Sequence, residues 1–216
     1  MNTKPINIKN EHLLILLESE LYNPSTIVRG AQLAKAMGCR FVVYYGLEEQ
    51  EEATLSEQTA FNIAEATLLS LHYGAIDLIV GSISSECKFK QKVKTFQEEF
   101  QISQVVIRGF EESWLFKIMY GSVVNYFVKN FPEIDLHLVS KRYHFPIEDW
   151  KYEKGEISYL YKDESGYYLD EQSENAITGF FFKEKNAQSH ESGVFIQVQG
   201  ESVRTYMIDD LRSDKA

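Results

Sequence analysis

The chain is short of cysteine and of positive charge, and each shortage narrows what it can be. Only two cysteines, Cys39 and Cys87, occur in 216 residues. Neither falls in a C-x-x-C or disulfide-framework spacing, so no disulfide scaffold and no cysteine-based metal site is expected. Both read as small, half-buried fillers in a reducing compartment. Lys and Arg number 22 against 32 Asp and Glu, a formal net charge of −10. A surface field of that sign disfavours polyanions, so neither nucleic acid nor an anionic membrane surface is an expected partner. No apolar run approaches the ~20 residues of a membrane span. The opening MNTKPINIKNEH is polar and lacks the apolar segment of a secretory leader, so a cytoplasmic protein is expected.

Catalytic signatures are missing as well. The five histidines, His12, His72, His137, His144 and His190, are dispersed without the H-E-x-x-H spacing of a metal hydrolase. There is no G-x-S-x-G elbow and no G-x4-G-K-[ST] phosphate loop. Lys88, Lys90, Lys92 and Lys94 alternate along a helical segment, which scatters them around the helix and reads as a solvated face. A non-catalytic protein is expected, with weak nucleotide hydrolysis the enzymatic reading left open.

What is present is a regular alternation of buried-strand and amphipathic-helix patterns. Residues 12–17 are a continuous apolar run of strand length, and Pro24-Ser25-Thr26 opens a helix that Gly38 closes. Residues 40–46 read as a second strand, 55–73 as a helix stopped by Gly74, and 76–80 as a third strand. A helix over 87–100 leads to a fourth strand at 105–107. A long helix over 114–131, ended by Pro132, leads to a fifth at 134–139. Strands apolar on both faces, alternating with helices, specify an α/β fold with a mostly parallel sheet covered on both sides.

After Arg142 the pattern changes to short aromatic-rich runs separated by turn formers. Residues 158–161 and 167–169 flank Asp163-Glu164-Ser165-Gly166 as a β-hairpin, and 177–182, 193–198 and 203–208 are further strand candidates. The expected organisation is therefore an α/β domain over 1–142 and a small antiparallel appendage of three to five strands over 143–216.

One stretch is more specific. Ile102-Ser103-Gln104-Val105-Val106-Ile107, Ser113-Trp114, Gly121-Ser122-Val123-Val124 and Ile134-Asp135-Leu136-His137-Leu138-Val139 follow one another in an order and spacing that resembles the universal stress protein family. Within it, they resemble the universal-stress-protein-like domain of the sensor kinase KdpD. The resemblance spans about residues 11–140 and implies an open five-stranded parallel sheet ordered 3-2-1-4-5. Ligands of such a sheet sit outside the carboxyl ends of strands 1 and 4.

The resemblance further implies a sensory or regulatory module that binds ATP or another adenine nucleotide, or a different anionic small ligand. The implied site residues are Leu17, Glu18 and Ser19 after the first strand, Arg108 and Gly109 after the fourth, and Gly121, Ser122 and Val123 at the last helix. The family's nucleotide binders carry a G-x2-G-x9-G-[ST] pattern. Here Arg108 and Glu111 stand at its first two glycine positions, and the charges of Glu111 and Glu112 oppose phosphate. The resemblance also implies a homodimer formed along the fifth strand through Ile134, Leu136 and Leu138. The alternative from the residues is a nucleotide-independent module whose aromatic appendage binds a regulatory protein partner.

Overall fold

Seven residues from His12 to Glu18 form the first strand, β1, and six of them are buried. A strand buried on both faces belongs in the middle of a covered parallel sheet, and that is where β1 lies in the computed structural model. The structure describes residues 11–48, 54–82, 84–108, 123–140, 150–163, 166–170, 176–186 and 192–208. After β1 come α1 (Pro24–Met37), β2 (Arg40–Leu47), α2 (Glu57–His72), β3 (Leu78–Ser82), α3 (Glu86–Phe100), β4 (Ile102–Arg108), α4 (Val123–Asn130) and β5 (Asp135–Val139). The five strands are all parallel and ordered β3-β2-β1-β4-β5. This is the strand order that the resemblance implies, in the parallel sheet that the alternating pattern predicts.

One face of this sheet, built from Leu14, Leu16, Val42, Tyr44, Val105 and Ile107, forms a single core with Phe89, Val93 and Phe96 of α3 and Tyr126 and Phe127 of α4. Each fully buried side chain of this size contributes about 1.5–3 kcal/mol. The other face of β1 carries Ile15, and α1 lies so close to it that a Cβ on Gly30 would overlap the Ile15 side chain. Glycine at position 30 is thus what permits the contact. Asn23 caps the start of α1 by accepting from the Ser25 amide at 2.9 Å, with Pro24 in the first turn. Gly38 ends the helix at φ 66°, a conformation that costs other residues energy.

A second sheet follows, comprising β6 (Glu156–Asp163), β7 (Gly166–Asp170), β8 (Ile177–Lys183), β9 (Gly193–Gln199) and β10 (Ser202–Ile208). It is antiparallel and ordered β10-β9-β8-β6-β7. Phe180, Phe182, Val194 and Ile196 on one of its faces pack with Ala60, Phe61, Ala64 and Leu68 of α2. The opposite face gathers Leu160, Phe195 and Ile208 with Phe181 and Tyr206. The chain divides into two compact units, Met1–Thr54 with Leu69–Phe145, and Leu55–Leu68 with Pro146–Ala216. The first three turns of α2 therefore belong to the second unit.

Element boundaries differ from the sequence reading in places. The third strand runs 78–82 instead of 76–80, although Ile76 already donates to the Phe41 carbonyl at 2.7 Å. β4 begins at Ile102, three residues early, because Ile102 is buried in the core. Of the helix expected over 114–131, residues 123–130 are helical, and 114–122 lie outside the described residues. Cys39 is half-buried, while Cys87 is exposed. An exposed first-turn position of α3 leaves the latter no core to fill.

Candidate functional site

The order β3-β2-β1-β4-β5 reverses between β1 and β4, so the carboxyl ends of these two strands flank the crevice where such sheets hold ligands. Leu16 pairs with Ile107, which brings Leu17, Glu18 and Ser19 to the same end of the sheet as Arg108, on strands about 4.8 Å apart. All three β1-side residues are buried, Glu18 and Ser19 at 8% exposure each. The backbone fixes them: Glu18 pairs with Gly46 of β2, the Ser19 amide donates to the Gly46 carbonyl at 3.1 Å, and the Leu21 amide turns back to the Glu18 carbonyl at 3.2 Å.

The chemistry of this end is uneven. Ser19 Oγ is buried and has no hydrogen-bond partner among the described residues. A hydroxyl left so costs about 1–3 kcal/mol unless something fills its place. Across the crevice Arg108 is half-buried, and loss of solvation draws its pKa below the ordinary value. The guanidinium remains a cation at neutral pH. This end of the sheet thus holds a buried hydroxyl with no partner among the described residues and, on the neighbouring strand, a partly desolvated positive charge, with Glu18 next to Ser19 in the chain.

The expected residues fare differently. Leu17, Glu18, Ser19 and Arg108 come together. Val123 opens α4, half-buried against the α3 and α4 core. Gly109, Gly121 and Ser122 lie outside the described residues. At the sheet edge Ile134 is buried in the core, Leu136 is partly buried against it, and Leu138 is 54% exposed. His137 Nε2 lies 2.8 Å from Gln104 Oε1 on the neighbouring strand.

The sequence reading missed three residues at this end. Gly46 anchors Ser19, and the rings of Tyr22 and Tyr45 meet with centroids 5.8 Å apart beside it. The signal for Gly46 and Tyr45 was their place at the carboxyl end of the second apolar run, which parallel pairing sets beside Glu18 and Leu17. Among the described residues, no group of three or more His, Cys, Asp or Glu could hold a metal ion, and no helix is long and apolar enough to cross a membrane.

No family model matches the chain, and no curated protein matches it in sequence. Among solved structures, a universal stress protein in complex with cAMP is similar at 13% identity and a TM-score of 0.41, over 61% of this chain and 97% of the other. The universal stress protein from Archaeoglobus fulgidus in complex with dAMP is similar at 12% identity and a TM-score of 0.36, over 62% and 98%. A macrolide-efflux protein from Streptococcus pneumoniae is similar at 10% identity and a TM-score of 0.42, over 95% and 82%.

Proposed function

We propose that the first unit is a non-catalytic sensory or regulatory module of the KdpD-like stress-protein kind, acting in the cytoplasm. It takes an adenine nucleotide or another small anionic ligand at the carboxyl ends of β1 and β4. The observation that carries the reading is Ser19 Oγ, buried and without a partner among the described residues at the point where the strand order reverses. A ligand hydroxyl, amine or phosphate oxygen there would satisfy it. Arg108 supplies the positive charge an anion needs. Leu17 and Val123 give apolar walls, and Gly109, Gly121 and Ser122 are the further contacts that the resemblance implies. In the same reading two copies pair along the edge strand β5, with Leu138 and Leu136 covered in the dimer.

Calorimetric titration of the full chain with ATP, ADP, AMP, cAMP and cyclic dinucleotides, with and without magnesium, tests the reading. Saturable micromolar binding of one of them, weakened at least tenfold in Arg108→Gln, is the expected result. Absence of binding at millimolar concentration overturns it.

A further inference from the structure

We propose that Tyr167 and Tyr206 are a modification site, where a one-electron oxidant joins the two rings by a carbon–carbon bond and so staples the second sheet shut. β7 and β10 stand at opposite ends of the order β10-β9-β8-β6-β7 and are not paired with each other. A flat sheet of that order would hold them four strand spacings apart, about 19 Å. Yet the rings of Tyr167 on β7 and Tyr206 on β10 meet with centroids 4.9 Å apart. The sheet therefore curls until its two edges face each other. Its inner face agrees, because Leu160, Leu169, Ile177, Phe181, Phe195 and Ile208 share one core and come from all five strands. The seam between β7 and β10 is thus bridged by side chains, and the tyrosine pair bridges it.

Tyr167 is 41% exposed and open to a diffusing oxidant. Lys162 Nζ lies 5.5 Å from the centre of its ring, and Phe195 meets the Tyr206 ring at 6.1 Å, so each ring has a second contact that restrains it. Centroids 4.9 Å apart with planes tilted at 53° put one ring against the other in van der Waals contact. Each phenol gives one electron and one proton to the oxidant and becomes a phenoxyl radical. The two radicals pair in a bond between carbons ortho to the oxygens, and the hydrogen on each of those carbons moves to oxygen to restore the phenol. With hydrogen peroxide as the oxidant, acting through a haem peroxidase, one peroxide is reduced to two waters and the chain loses two hydrogen atoms. Tyr161 and Tyr168 also touch, with centroids 5.6 Å apart, but Tyr161 is 8% exposed and its strand is already paired to that of Tyr168.

Limiting hydrogen peroxide with a haem peroxidase, applied to the dilute full chain, tests this by dityrosine fluorescence, denaturing electrophoresis and peptide mass mapping. The expected product runs at the mass of one chain and contains two peptides joined at 167 and 206, lighter by two hydrogens. Exposed Met207 gains oxygen instead, so mass separates the two reactions. Tyr167→Phe and Tyr206→Phe are each expected to cut the fluorescence at least tenfold at an unchanged circular dichroism spectrum, while Tyr161→Phe leaves it. The linked chain is expected to unfold at a higher urea midpoint, because the bond closes a loop in the unfolded state. No dityrosine, a link formed only between chains or at other tyrosines, full yield in either of the first two variants, equal yield from urea-unfolded chain, or an unchanged midpoint would each overturn the proposal.

Discussion

Ser19 is costly in an empty crevice. Its hydroxyl is buried without a partner among the described residues, so removing it relieves a desolvation penalty that none of those residues offsets. Ser19→Ala is therefore expected to raise stability by about 1 kcal/mol, seen as a higher urea midpoint at unchanged slope, while weakening ligand binding. A fall in stability would mean that the hydroxyl is satisfied after all. Gly30 makes the opposite case. A side chain there meets Ile15, and Gly30→Val is expected to cost about 1–3 kcal/mol through overpacking, read as a lower melting temperature. The two thiols separate by environment. Burial raises the Cys39 pKa, against a backbone hydrogen bond that lowers it and with the Glu11 carboxylate adding to the rise. The thiolate is the reactive form. Cys39 thus gains reactivity only as pH rises through its elevated pKa. A disulfide reagent at pH 7 is expected to label exposed Cys87 first, and equal rates at both sites would contradict this.

At the scale of elements, α1 is specified almost wholly by local chemistry: a capping Asn23, Pro24 in the first turn and a left-handed Gly38. Asn23→Ala is expected to cost about 1 kcal/mol, checked by denaturant titration. The same locality explains what was legible in the sequence. Apolar runs long enough for strands, separated by capped amphipathic helices, sufficed for all five parallel strands, because each signal lies within a few residues. The partner of a helix face is another matter. The spacing of Phe61, Ala64 and Leu68 shows that α2 buries a stripe, but not that the stripe meets Phe180 and Phe182 more than a hundred residues later. The site divides likewise. Glu18 and Ser19 could be placed from the end of an apolar run, whereas the anchoring by Gly46 and the missing partner of Ser19 depend on strands brought together by the fold.

At the scale of the whole molecule, a doubly wound unit whose order reverses beside Ser19 and Arg108 is followed in the chain by an antiparallel unit. Net charge is strongly negative, −10, so an anion reaches the crevice only through local positive charge. Affinity is accordingly expected to fall with Arg108→Gln and to vary less with salt than at an exposed site, since a partly buried pair is weakly screened. If β5 joins two copies, light scattering gives twice the chain mass, and Leu138→Lys gives the monomer. The same mass for both proteins would remove that edge from the account. The most direct test of the central claim is backbone chemical-shift mapping of the full chain during titration with the best-binding adenine nucleotide. The account predicts saturable shifts at Ser19, Gly46 and Arg108, the three residues at the ends of β1, β2 and β4. Shifts confined to the second unit, or none at millimolar nucleotide, would contradict it.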